Sequence, residues 1–141
     1  MVAQSMTEEV KKVAASRPGR WLVCGSRQYG EVDYIFDQLD ILSELRGPPG
    51  VLMHGGAQGV DKIAGWWADR RRVPKQVYAP EWRQHGKAAG PMRNQRMLDE
   101  GKPTLVIAFR GGAGTADMIE RAVRAGVEVV RIGDGSPLLG A

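Results

Sequence analysis

One cysteine, two histidines and no long apolar run are the clearest shortages in this chain of 141 residues. The lone Cys24 excludes an internal disulfide and any multi-cysteine metal site, and His54 and His85 are too few for a histidine-based centre, so no metal is expected. No stretch approaches the roughly 20 consecutive apolar residues of a membrane span, so no membrane partner is expected either. The opening "MVAQSMTEEVKKVAASRPGR" carries acids and lysines where a signal peptide needs an apolar stretch, which predicts a cytoplasmic protein. Three active-site signatures are also missing. There is no G-x-x-x-x-G-K-[ST] of P-loop NTPases and no G-x-S-x-G nucleophile elbow, and "GGAGT" is not the G-x-G-x-x-G of dinucleotide dehydrogenases. Internal repeats and low-complexity segments are absent.

What is present suits one soluble globular domain: 43% hydrophobic and 26% charged residues, in a length that builds a single core. The 20 basic and 16 acidic residues leave +4, which favours anionic partners without naming nucleic acid. The densest basic spot, Arg70, Arg71 and Arg72, reads first as a solvated helix end favoured by the helix dipole.

Apolar, β-branched runs occur at "WLVCG" (21–25), "VLMHG" (51–55), "QVYA" (76–79), "TLVIAF" (104–109) and "VEVVRI" (127–132). Near-continuous apolar character in short runs predicts strands covered on both faces, hence a parallel sheet. Helical periodicity lies between them. Over 31–46, Val32, Ile35, Phe36, Leu39, Leu42 and Leu45 share one face; a second helix spans Val60 to Arg72 with Val60, Ile63, Ala64 and Trp67 buried and Trp66 at the margin. A third is expected to start at Pro91 and end at Gly101, and a fourth to run from an N-cap at Thr115 to Gly126. Such alternation predicts an α/β, Rossmann-like, doubly wound open parallel sheet of about five strands with helices on both faces. This domain covers 21–132; residues 1–20 are expected to hold a helix over Ser5–Ala15 and a linker, and 133–141 a loose tail.

Ligands of open α/β sheets bind beyond the carboxyl ends of the strands. The segments there are "GSRQYGE" (25–31), "HGGAQGVD" (54–61), "PEWRQHGKAAGPMRN" (80–94) and "RGGAGTAD" (110–117), all with glycine, and the last three precede helix starts that attract anions. Four glycine turns on one edge with Arg27, Arg93 and Arg110 among them favour a phosphate-bearing ligand. The expected contacts are Gly25, Ser26, Arg27, His54, Gly55, Gly56, Asp61, Arg93, Asn94, Gly111, Gly112, Gly114 and Thr115. Several also have a plain structural reading. Ser26 either grips a phosphate or caps a turn; Asp61 either accepts from a ribose or favours its helix dipole; His54 is either a general base or a side chain satisfied by backbone. Trp82 either stacks on a base or packs under its loop. Asp117 would repel a bound phosphate, so any role it has faces a sugar or base.

Together "GSR", "HGGAQGVD", "GPMRNQRM" and "RGGAGTADM" resemble the SLOG superfamily, the Rossmann-like domains named after the DNA-processing SMF proteins and the LOG cytokinin-activating enzymes, and within it the YspA/YpsA-related branch of small single-domain members. The resemblance implies binding of nucleotides or derivatives such as NAD or ADP-ribose relatives at the glycine rim, without a further cofactor. It also implies homo-oligomers and ligand sensors associated with phages and conflict systems. LOG enzymes cleave the N-glycosidic bond of nucleoside monophosphates with an arginine from R-K-x-x-M and a glutamate ending P-G-G-x-G-T-x-x-E. Here Arg93 and Met97 match the first motif with Asn94 in place of lysine, whereas Arg110 replaces the proline and Met118 the glutamate.

The sequence reading is thus a nucleotide-binding or sensing module. Its enzyme rival is a LOG-like phosphoribohydrolase in which Arg93 orients the phosphate-ribose and Asp117 acts as a displaced acid. The other rival is a single-stranded nucleic-acid binder using Arg70, Arg71, Arg72 and Trp66.

Overall fold

The structure, a computed structural model, describes residues 18–133. The helix expected over Ser5–Ala15 and the tail beyond Gly133 lie outside the described residues. Five parallel strands, β1 (Arg20–Cys24), β2 (Val51–His54), β3 (Lys75–Val77), β4 (Leu105–Phe109) and β5 (Glu128–Ile132), form one sheet in the order β3-β2-β1-β4-β5. The order reverses between β1 and β4, which makes their carboxyl ends the topological switch point. The Rossmann-like α/β expectation therefore holds.

Period-two alternation in the strands sorts the side chains into two cores. Trp21, Val23, Leu52, Leu105, Ile107 and Phe109 face helices α1 (Val32–Arg46) and α2 (Val60–Arg70); Leu22, Val51, Met53 and Val106 face the opposite layer, α4 (Ala89–Gly101) and α5 (Ala113–Arg124). Trp21 stacks on Trp67 with ring centroids 5.8 Å apart and fixes α2 on the sheet. The α2 stripe is buried as expected and Trp66 is exposed, but on α1 only Ile35, Leu39 and Leu42 are fully buried, and Leu45 lies in solvent.

The structure corrects several element boundaries. A short helix α3 (Trp82–His85) and a 3-10 turn (Gly86–Ala88) precede α4, which starts at Ala89 rather than Pro91. Pro91 stands in the first turn, where its missing N–H costs nothing. Helix α5 starts at Ala113, and its N-cap is Gly112, not Thr115. Thr115 is inside the first turn and buried, with its hydroxyl against Gly111. Helix α2 ends at Arg70, and Arg72 takes a left-handed φ of 58°. No helix among the described residues is long and apolar enough to cross a membrane.

Candidate functional site

The loop after β1 is the joint of the rim. The Ser26 N–H donates to the Arg110 carbonyl (2.8 Å), the Ser26 carbonyl accepts from the Val60 N–H (3.1 Å), and Ser26 Oγ accepts from the Gln28 N–H (3.0 Å). These bonds tie the loops after β1, β2 and β4 together. Gly25 is squeezed between Val60 and Phe109: a Cβ there would come within 2.6 Å of Val60. Gly25 thus packs the frame, while Arg27 stands exposed beside it with no hydrogen bond among the described residues.

The loop after β2 closes on itself. Asp61, in the first turn of α2, accepts through Oδ2 from the N–H groups of Gly55 (3.0 Å) and Ala57 (3.2 Å), and His54 Nδ1 accepts from the Gly56 N–H (3.0 Å). Burial pushes the Asp61 carboxyl up to about 6, against the pull of the Ala57 N–H, Arg93 and the Gly55 N–H. Burial likewise pushes His54 down to about 4, helped by Lys75 and Arg93, so His54 is a neutral imidazole inside the turn. At neutral pH it therefore serves the loop's geometry. Cys24, at the end of β1, has its thiol pushed up by burial and by the Asp61 charge, against the pull of Arg93.

Arg93, on the first turns of α4, bridges from this loop to the next. Its Nη1 donates to the carbonyls of Gly55 and Tyr78 (3.2 Å for the latter), and its Nε donates to Asn94 Oδ1 (3.0 Å). Asn94 is buried and fully engaged, donating through Nδ2 to the Gly114 carbonyl (3.1 Å) and Asp117 Oδ2 (2.9 Å). Asp117 Oδ2 also accepts from Arg121 Nε (2.8 Å), and Arg121 reaches Gln95 (2.9 Å). Burial pushes the Asp117 carboxyl upward, but the bonds from Arg121 and Asn94 outweigh it and hold it below the ordinary carboxylate range. Asp117 is therefore an ionised, paired anchor between α4 and α5.

The loop after β4 is different in kind. Gly111 packs against the Thr115 hydroxyl and Gly25, but a Cβ on Gly112 or Gly114 would meet nothing within 4 Å. Gly112 offers no side-chain cap, the first turn of α5 holds no acid, and the N–H groups of Ala113, Gly114 and Thr115 have no partner among the described residues. Arg110 stands exposed at its edge, with Nε on the Gly133 carbonyl (3.1 Å). Unpaired donors at the positive end of a helix, on the switch point of the sheet, have the chemistry to accept an anion.

The sequence-predicted residues thus converge on one edge but in different capacities. Gly112 and Gly114 are open; Gly25, Gly55, Gly111 and Thr115 are filled by the protein's own atoms; Gly56 has a positive φ of 75° and its donor is used by His54; Asp61, His54 and Asn94 are engaged internally. Tyr78, Gln95 and Arg121 belong to the frame and are not among the expected contacts, though the spacing of Asp117 and Arg121 is that of a helical ion pair. Met118, at the LOG glutamate position, is fully buried in the α4/α5 core. Trp82 is half-exposed, its ring edge 3.6 Å from where a Cβ of Gly90 would lie. A cavity of about 430 Å³ along the outer side of α4, walled by Ala79, Glu81, His85, Met92 and Arg96, shares Arg93 with the rim.

The basic triplet lies at the C-terminal end of α2, across the sheet from this rim. Arg71 is committed there to a two-pronged pair with Asp40 (2.9 and 2.6 Å), which also accepts from Trp67 Nε1 (2.8 Å). The surface around Trp66 therefore lacks one of its three expected free cations.

A model of the YspA, cpYpsA-related SLOG family matches residues 20–85, which carry β1 to α3 and the first two rim loops. The chain is also 37% identical over 124 residues to the Gene 61 protein of Mycobacterium phage D29, covering 82% of this chain and 97% of that one. No solved structure matches the chain.

Proposed function

The chain belongs to the YspA, cpYpsA-related SLOG family, and from that membership we propose that it binds or senses a nucleotide or nucleotide-derived ligand at the first turn of α5. One observation carries the reading: Gly112 and Gly114 are uncovered where the N–H groups of Ala113 to Thr115 have no partner. A phosphate oxygen set there gains charge-assisted hydrogen bonds and the helix dipole together. Arg27 and Arg110 flank the seat, and the Ser26 hydroxyl still has its proton to donate. Arg93, Asn94 and Asp117 hold α4 and the seat in register.

Binding is favoured over glycosidic hydrolysis by two facts. Met118 is in the core, and the neighbouring Asp117 carboxylate is paired with Arg121 and bonded to Asn94, so it is committed to the frame between α4 and α5. The test is a melting screen with AMP, NAD and ADP-ribose, read beside a chromatographic assay for released base. A ligand at 100 times its Kd raises stability by about 2.7 kcal/mol, a shift of several degrees in a domain of this size. A shift without base release supports the sensor reading, base release restores the hydrolase, and no shift with any nucleotide removes both.

A further inference from the structure

The cavity along the outer side of α4 is a slot between two walls. One is a face of α4 on which Met92, Arg96 and Asp99 follow at helical spacing; the other is the chain leaving β3, with Ala79, Glu81 and His85. We propose that this slot is a second binding site, independent of the rim, for a linear aliphatic polyamine lying lengthwise with one ammonium group at Glu81 and another at Asp99. Its volume of about 430 Å³ is within the range of small-ligand sites. Ala79, Ala89 and Met92 give it apolar surface, and Met92 is 47% exposed, an unbranched thioether that adapts to a flexible chain.

The charges on the walls are unequally engaged. Arg96 donates through Nε to Glu100 (2.6 Å) and lies over the Tyr78 ring, 5.1 Å from its centroid. Arg93 is bonded to the carbonyls of Gly55 and Tyr78 and to Asn94. Both wall arginines therefore have partners, and so does Glu100. Glu81 is 3.8 Å from His85 Nε2, an ion pair only when the imidazole is protonated, and Asp99 accepts from the neutral amide of Gln95 (3.0 Å). Among the described residues neither carboxylate pairs with a lysine or an arginine.

The two carboxylates stand at opposite ends of the slot. Trp82, next to Glu81, has its ring edge at Gly90 near the start of α4, whereas Asp99 lies about 13.5 Å further along the helix axis. A cation with one charged end satisfies one carboxylate and leaves the other in water. A chain with an ammonium at each end satisfies both, the second by an intramolecular step. Alkyl ammonium groups, like the lysine side chain, stay charged at neutral pH, and the methylenes between them leave water for the apolar surface. The same carboxylates repel a nucleotide, so the slot and the rim suit ligands of opposite sign.

The test is calorimetric titration of the full chain with spermidine, 1,3-diaminopropane and butylamine at one ionic strength. The proteins are the native chain, Glu81→Gln, Asp99→Asn and, as a control on α1, Glu44→Gln; all three positions are exposed, so the variants keep the fold. Spermidine is expected to bind the native protein and Glu44→Gln roughly tenfold more tightly than either shorter amine, and each slot variant is expected to lose most of that advantage. Equal binding of the three amines, an advantage unchanged in Glu81→Gln or in Asp99→Asn, or an equal loss in Glu44→Gln overturns the proposal. So does a spermidine response matched by magnesium chloride at the same ionic strength, the mark of general screening.

Discussion

The guanidinium of Arg93 occupies the space that a Cβ on Gly55 would fill, and its Nη1 donates to the Gly55 carbonyl. Glycine at 55 is thus explained by a protein side chain and not by a ligand. The contact joins α4 to the end of β2, and through Asn94 it continues to the first turn of α5.

This pairing predicts a strong coupling between the two positions. Gly55→Ala forces Arg93 out of its place and should lower stability by about 1–3 kcal/mol, whereas on an Arg93→Ala background the same change should be close to neutral. A double-mutant cycle in urea is expected to give a coupling of about 1 kcal/mol or more. Additive effects would mean that the two residues do not share this space.

Glycines one residue apart should behave oppositely. A side chain at Gly111 overlaps the Thr115 hydroxyl, so Gly111→Val should unfold the loop or lower the melting point sharply. Gly112 has open space around it, so a side chain there meets no atom of the protein. Gly112→Val should therefore melt much closer to the parent than Gly111→Val but lose its response to AMP, because the branched side chain covers the seat.

At Gly114, stability and binding should part in the other direction. It lies in the first turn of α5 with no atom near its missing side chain, so Gly114→Ala should raise stability by up to about 1 kcal/mol through helix propensity. The added methyl projects beside the free donors, and the same variant should bind AMP more weakly. Unchanged affinity would move the ligand away from this turn.

Asp61 and His54 should leave opposite marks on the pH dependence of stability. The Asp61 pKa is raised from 3.8 to about 6, so the folded state holds its proton more tightly and acidification from pH 6 towards 4 adds stability. The His54 pKa is depressed from 6.5 to about 4, so over nearly the same window the unfolded state takes up the proton and stability falls. The two contributions nearly cancel in the native protein. Asp61→Asn should gain about 2–3 kcal/mol at pH 7, where the buried charge is a cost, and should then lose stability steeply between pH 6.5 and 4 as the His54 contribution is unmasked. Urea denaturation at a series of pH values checks both statements; a native-like flat profile in the variant would contradict them.

Much of the fold is legible in the sequence because the near-continuous apolar runs that mark β1, β2 and β4 supply side chains to the cores on both faces of the sheet. The edge of the sheet is less so. Lys75, Gln76 and Val77 of β3 are all exposed, and nothing in a three-residue strand distinguishes a covered face from a bare one. The short α3 has no buried residue and so leaves no periodic signal. The rim shows a sharper limit. Gly55, Gly111, Gly112 and Gly114 carry the same letter, and whether the space beside each is filled by Arg93, by Thr115 or by nothing depends on contacts 4 to 38 residues away in the chain. Asp61 is likewise visible as a first-turn acid, but its hold on the donors of Gly55 and Ala57 follows from how the loop curls back, which spacing does not encode.

The central claim is that one phosphate is held by the main chain at the start of α5. The most direct measurement is an amide-resolved NMR titration of the isotopically labelled protein with AMP. The account predicts that the largest shifts fall on the N–H groups of Gly112, Ala113, Gly114 and Thr115 and saturate together. Saturable shifts centred on Arg70 to Arg72 or along the outer side of α4, with 112–115 unmoved, would contradict it.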